Sequence, residues 1–225
     1  MEKQLKHLFA AICIASLFLF GGCKFADCIT GEGSVKSEER TSEAFESIEA
    51  RGSSNIHIKK GEGFSIVIND HENLLKYFKT EVNSSTLILG FDEDDCINNS
   101  KMEVVITMPD LKKIKSLGSG DVTISGGFEG AELTTEILGS GQIQITDSCF
   151  YKTLNVSITG SGNTEVKEGK FDKAKIEILG SGSMVIGETT SLDVDIKGSG
   201  SVSYYGDPSV KSDITGSGTI NKVSK

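Results

Sequence analysis

The sequence predicts an all-β fold: a single right-handed parallel β-helix with coils of about 18–21 residues and less regular N-terminal coils. Three observations carry that expectation. The tripeptide Gly-Ser-Gly starts at Gly118, Gly139, Gly160, Gly180, Gly198 and Gly216, so successive steps are 21, 21, 20, 18 and 18 residues. Upstream of each copy, apolar and polar residues alternate with the two-residue period of a strand that buries one face. The composition fits: 26 glycines, two prolines and no tryptophan in 225 residues with 37% hydrophobic content, enough for one elongated domain.

Aligned on the first glycine, the long strand repeats column by column. Two residues before it stand Ser116, Ile137, Ile158, Ile178, Ile196 and Ile214; four before it, Ile114, Thr135, Val156, Ile176, Val194 and Ser212. The intervening columns, Lys115, Glu136, Ser157, Glu177, Asp195, Asp213 and Lys113, Thr134, Asn155, Lys175, Asp193, Lys211, are polar. A shorter strand follows each tripeptide, with Val122/Ile124, Ile143/Ile145, Thr164/Val166, Met184/Ile186 and Val202/Tyr204 on its inner side. The pairs Gly118/Gly120, Gly139/Gly141, Gly160/Gly162, Gly180/Gly182, Gly198/Gly200 and Gly216/Gly218 are therefore read as corners, where a bare backbone turns with φ > 0 and permits close stacking. Phe128, Phe150 and Phe171, once per coil after a variable turn, are expected to stack as rings at one end of the core. Every column repeats in one direction, which calls for parallel neighbours about 4.8 Å apart. An arrangement of antiparallel hairpins is the alternative, and it requires the columns to alternate direction.

Residues 1–22 read as an export signal: Lys3 and Lys6, an apolar run from Leu8 to Phe20, then Gly21-Gly22. Small residues directly before Cys23 resemble a bacterial lipobox, although Phe20 stands where leucine is usual; Cys23 is then the lipidated first residue, and ordinary secretion is the alternative. Residues 23–40 are expected to be anchor and linker, and residues 41–225 the β-helix domain. In an exported chain, disulfides are permitted. Cys28 and Cys96 lie in polar, turn-like surroundings and are the favoured pair, leaving Cys149 as a buried filler. Phe45-to-Ile58 looks like a degenerate coil around Gly52, and Gly31-Glu32-Gly33, 21 residues earlier, like another with Val35 inward. Residues 61–111 hold strands without the clean period, and one or two helical turns between His71 and Phe78.

The formal net charge is −9; residues 1–22 carry +1 (Lys3 and Lys6 against Glu2), leaving −10 for the rest. That balance opposes nucleic-acid binding, which needs a basic footprint. The glycine triplets lack the lysine and following helix of a P-loop, and they do not cycle every nine residues as calcium-binding repeats do. The run Asp92-Glu93-Asp94-Asp95 reads as a solvated acidic loop rather than a calcium loop. No histidine or second cysteine stands at metal-ligand spacing to a cysteine, so neither metal nor cofactor is expected. The column Glu177, Asp195, Asp213, flanked by Lys175, Lys197 and Lys211, is either a lysine-balanced surface or a shallow site for cations or glycan hydroxyls.

Phe45-Glu46-Ser47-Ile48-Glu49-Ala50 with Gly52, Asp70-His71-Glu72-Asn73-Leu74-Leu75, and Met108-Pro109-Asp110-Leu111 running into Gly118-Ser119-Gly120-Asp121-Val122 together resemble the putative auto-transporter adhesin, head GIN domain family, over about residues 31–225. The resemblance implies a β-helix in exported proteins of Bacteroidetes and other bacteria, and no catalytic or ligand residue. The expected function is a non-catalytic, lipid-anchored protein of the outer membrane or cell surface. Its anchor holds it to the membrane, and its β-helix surface meets glycans or surface proteins. The alternative is a β-helix polysaccharide lyase or glycosidase with Asp193, Asp195 and Asp213 as candidate acids and bases; such enzymes need a walled cleft, and these repeats carry no long loops.

Overall fold

The computed structural model describes residues 28–224. The regular part begins with β10 (Lys113–Gly118) and β11 (Val122–Ser125). It continues through β12 (Glu129–Gly139), β13 (Gln142–Ile145), β14 (Cys149–Gly160), β15 (Asn163–Gly180), β16 (Ser183–Gly198), β17 (Ser201–Tyr205), β18 (Ser209–Gly216) and β19 (Thr219–Lys222). All pairs among them are parallel. β15 and β16 each wrap from a short-strand face into the next long-strand face, so adjoining coils share a continuous strand. The antiparallel-hairpin alternative does not occur in the repeats.

The corner glycines superimpose. The ladder runs Gly52–Gly118–Gly139–Gly160–Gly180–Gly198–Gly216 in one register. At Gly139 φ is +140°, and an added Cβ would lie 2.1 Å from the Gly118 carbonyl oxygen. Both facts exclude a side chain, and the crowding has a clear cause: the Ser140 N–H donates to that same Gly118 carbonyl, drawing the coils together. Inside, Ile137, Ile158, Ile178 and Ile196 form an apolar column with Ile114, Val156, Ile176 and Val194 beside it, all at most 2% exposed. Burying such a side chain is worth about 1.5–3 kcal/mol, which one coil cannot realise and a stack can.

The second glycine of each triplet corrects the expectation of φ > 0. Only the first one turns there; Gly120, Gly141, Gly162, Gly182, Gly200 and Gly218 do not have positive φ. What excludes a side chain from them is space. A Cβ on Gly162, Gly182, Gly200 or Gly218 would come within 2.5–2.6 Å of the Cγ2 of Ile137, Ile158, Ile178 or Ile196, respectively, one coil earlier. At Gly141 that column holds Ser116 instead, and the obstacle is the Gly120 carbonyl oxygen at 2.3 Å. The first glycine thus serves the turn and the second makes room for the core below it.

The ring stack also differs from expectation. Phe128 and Phe171 are buried, but Phe150 is half exposed, and Tyr151 is the ring that turns inward. Register explains it: Phe150 lies opposite Glu129 and Tyr151 opposite Phe171, which leaves the inward place below Phe128 to Cys149. A one-residue difference in turn length moves a side chain to the other face. The Tyr151 hydroxyl donates to the Leu111 carbonyl at 2.9 Å.

The N-terminal part comprises β1 (Ile29–Thr30), β2 (Val35–Arg40), β3 (Ser47–Gly52), β4 (Asn55–Lys60), β5 (Ser65–His71), α1 (Glu72–Leu75), β6 (Lys79–Asn83), β7 (Thr86–Gly90), β8 (Ile97–Asn98) and β9 (Glu103–Met108). β3 and β4 do form a coil, in parallel register with β10 and β11. The coil beyond them is β7 and β9, parallel to β3 and β4. Spatial order therefore departs from chain order: residues 47–60 lie between residues 86–108 and 113–125. The outer coil is closed by antiparallel strands, β5 on β9, β2 on β5 and β6 on β7.

Two expectations about the N-terminus are corrected as well. Gly31-Glu32-Gly33 is no coil corner, and Val35 is 51% exposed, because β2 is an antiparallel strand of the cap. Residues 28–40 belong to the domain instead of linking to it: β1 pairs with β8, and Cys28 is bonded to Cys96. Among the described residues, the buried apolar side chains of the continuous core lie between Phe45 and Val202.

Candidate functional site

The long strands present a flat outer face built from three in-register columns. The column next to the corner is Arg51, Leu117, Leu138, Thr159, Leu179, Lys197 and Thr215. Beside it runs Glu49, Lys115, Glu136, Ser157, Glu177, Asp195 and Asp213, and beyond that Ser47, Lys113, Thr134, Asn155, Lys175, Asp193 and Lys211. Leu138 and Leu179 are 45% and 55% exposed, in a position where the strand period demands an outward side chain. The face thus joins an apolar stripe to a charged ladder.

Charge on the ladder is balanced locally. Lys115 lies 3.3 Å and Arg51 2.6 Å from Glu49, Lys113 lies 2.7 Å from Glu136, and Lys175 lies 2.6 Å from Glu177. Lys197 reaches Asp195 at 3.0 Å and Lys211 reaches Asp193 at 3.2 Å. Desolvation pushes the Glu49 carboxyl up, but hydrogen bonds from Arg51 and Lys115 outweigh it and hold the group below its ordinary value. The hydrogen bond to Glu177 raises Lys175, and that to Asp195 raises Lys197. Glu177, Asp195 and Asp213 are in-register neighbours, the like-charge row the sequence indicates, with lysines set against it.

At the cap end the stripe runs into a groove of about 300 Å³ lined by Arg51, Phe91, Asp92, Glu93, Asp95, Ile97 and Leu117 among others. The acidic loop forms its wall, with Asp92 paired to Lys79 at 2.5 Å and the Asp95 N–H donating to the Asp92 carbonyl. Among the described residues no cluster of three or more His, Cys, Asp or Glu side chains could hold a metal ion. Asp193 and Asp195 stand on the flat face in ion pairs, and the depression beside Glu177 and Asp195 holds only about 190 Å³.

Cys23 lies outside the described residues. Cys28 and Cys96 share a disulfide, and Cys149 is buried with its thiol pushed up to about 11 by desolvation. The segment 70–75 is structural. Asp70, fully buried, accepts from the His71 and Lys101 N–H groups and the Ser100 hydroxyl at 2.6–2.8 Å. Asn73 accepts from the Glu32 N–H and donates to the Thr30 carbonyl, while His71 Nδ1 lies 2.9 Å from the Gly33 carbonyl oxygen. These side chains fasten the N-terminal segment to the cap. The exposed leucines are the surface residues that sequence reasoning passes over; leucine directly before a corner glycine in Leu117, Leu138 and Leu179 is the available signal.

The fold is a parallel β-solenoid whose long strands present one outer face of paired charges and exposed leucines. The chain belongs to the family described as putative auto-transporter adhesin, head GIN domain, whose family model matches residues 44–223. No curated protein matches it. Among solved structures it is similar to a putative adhesin from Bacteroides fragilis, 25% identical, with 87% of this chain and 100% of that one covered at a TM-score of 0.74. A putative lipid binding protein from Parabacteroides distasonis (23% identical) and a putative adhesin from Parabacteroides merdae (22%) share the fold, each at a TM-score of 0.62 over 88% of this chain and 100% of theirs. Among the described residues no helix is long and apolar enough to cross a membrane.

Proposed function

We propose that the protein is a non-catalytic, lipid-anchored adhesion module of the bacterial cell envelope, displayed from the outer membrane or cell surface, which presents its long-strand face to glycans or surface proteins. The observation that carries this reading is the exposed pair Leu138 and Leu179, which share one outward column with the partly buried Leu117 and with Thr159 and lie against a lysine-balanced charged ladder. Exposed leucines in one column of a sheet widen its apolar surface, and larger apolar patches mark interaction surfaces. Anchoring supplies the second half: Cys23 stands only five positions before Cys28, so lipid on Cys23 would hold the cap within about 18 Å of the bilayer.

The test is binding of the soluble 24–225 chain to arrayed surface glycans and to immobilised envelope proteins, beside Leu138→Asp/Leu179→Asp. Binding that falls at least about tenfold in the double variant supports the face; equal binding by both, or depolymerisation of any polysaccharide, overturns the reading. Labelling with an alkyne fatty acid should mark the wild-type chain and vanish in Cys23→Ser; an unlabelled wild type removes the anchor.

A further inference from the structure

Among the described residues the stack is roofed at one end and unroofed at the other. β18 has one strand partner among the described residues, β16, and β19 has one, β17. All of β18 is exposed, and its inward-column residues Val210 and Ile214 are 41% and 39% exposed where Leu192 and Ile196, one coil earlier, are 1% and 0%. The outer edge of the backbone is open too, while the inner edge is paired down to the corner, where the Ser217 N–H donates to the Gly198 carbonyl. Alternate residues of a parallel strand face alternate neighbours, so Lys211, Asp213 and Thr215 face β16, while Val210, Ser212 and Ile214 turn their N–H and C=O groups to the open edge. A strand with that edge is a template for pairing.

We propose that this edge joins two copies of the chain tail to tail, β18 against β18 of the second copy in antiparallel register about a twofold axis through Ser212. The sequence Val210-Lys211-Ser212-Asp213-Ile214 is self-complementary about its centre. Antiparallel pairing there sets Ser212 against its own symmetry mate, Lys211 against the second copy's Asp213, and Val210 against the second copy's Ile214, each pair occurring twice. The edge-facing groups of residues 210, 212 and 214 then match one another in about six main-chain hydrogen bonds. Lys211 and Asp213 fall in the narrower non-hydrogen-bonded sites, where opposite charges attract across strands. The isologous geometry closes after two copies. A head-to-tail alternative has no seat, because the other end is covered by β2 and β6, whose Lys36, Glu38, Glu39, Lys79 and Glu81 guard their edges. The cap that holds Cys28 lies at the far end of the stack from β18. Resting on the anchored reading above, the dimer therefore carries its lipids at opposite ends and bridges two facing membranes, one copy in each.

Sedimentation velocity of the 24–225 chain tests the pairing. The wild type is expected to dimerise reversibly. Asp213→Lys, which sets lysine against lysine twice, should weaken the dimer at least about tenfold, and Lys211→Asp/Asp213→Lys should restore it. Asp213→Lys faces Asp195 within its own chain, so its thermal midpoint should match or exceed that of the wild type. Ser212→Cys should give a disulfide-linked dimer on a non-reducing gel. A wild type that stays monomeric, or an Asp213→Lys variant that dimerises as well as the wild type, overturns the pairing. Vesicles bearing the lipidated chain should cluster, and those bearing Asp213→Lys should not. A chain that dimerises in solution while Cys23 takes no lipid overturns the anchored reading and leaves the pairing standing.

Discussion

At the N-terminal end, Ile66, Ile68, Leu74 and Phe78 roof the outermost coil with at most 2% of their surface exposed; at the C-terminal end, Val210 and Ile214 stand about two-fifths exposed on an unroofed coil. The cap is irregular, antiparallel and tied by a disulfide, buried Asp70 and Arg40, which donates to the Phe78 and Leu75 carbonyls. The stack is regular, parallel and held by repetition of one glycine corner. A solenoid can grow by copying a unit, but copying never produces an end; each end needs its own sequence or a partner. The tail-to-tail pairing follows from that difference.

The comparison breaks most sharply at the corners. Gly139→Ala places Cβ 2.1 Å from a carbonyl oxygen between two fixed coils, with φ at +140°, and is expected to cost more than about 4 kcal/mol or prevent folding. Gly216→Ala meets the same obstruction at 2.4 Å, but the terminal coil can give way, and at most about half that loss is expected. Gly52→Ala, with nothing within 4 Å, should lose only about 1 kcal/mol to its positive φ. Urea melts of the three read the gradient directly, and equal losses would refute the idea that packing of neighbouring coils sets it.

Opening the cap covalently comes next. Cys28 and Cys96 are 68 residues apart, for which chain entropy gives at most about 4 kcal/mol. Cys28→Ser should show that loss as faster amide exchange in β1, β2 and β5, with β12 to β16 unaltered.

Alkaline pH should test the stack instead. Burial raises the Cys149 thiol to about 11 from an ordinary 9, and Tyr151 is also raised, chiefly by burial. A group raised on folding favours the protonated native state, so its contribution is intact below pH 9 and disappears as pH climbs through 11. Stability should fall by about 2 kcal/mol over that interval from Cys149 alone, and Cys149→Ala should flatten the profile. The smallest expected effect is a gain. Thr135 Oγ1 is buried with no hydrogen-bond partner in a column of aliphatic neighbours, so Thr135→Val should raise stability by about 1 kcal/mol in thermal melts.

Much of the stack is legible residue by residue: Ile137 inward, Glu136 outward, Gly139 at a corner. Gly162 is placed at its corner by the repeat, but the reason a side chain is excluded there, the Ile137 methyl one coil earlier, belongs to the stacking and not to the local turn. Phe150 is misread from sequence because its face depends on how many residues the preceding turn consumes. The coil at 47–60 can be recognised from Gly52, yet its place inside the stack cannot. The outer face is legible as a charged ladder, and its leucine stripe is hidden because burial, not hydropathy, decides whether a leucine is core or surface.

By itself the sequence determined the coil length, the inward and outward columns and the glycine corners, since each is set by local backbone geometry repeated at a fixed interval. Only the tertiary structure decided that residues 86–108 stack outside residues 47–60, that residues 70–75 fasten the N-terminal segment, and that antiparallel strands roof the outermost N-terminal coil. Those outcomes rest on pairings between unlike segments far apart in the chain, where edge hydrogen bonds and buried area choose among partners that no periodicity distinguishes.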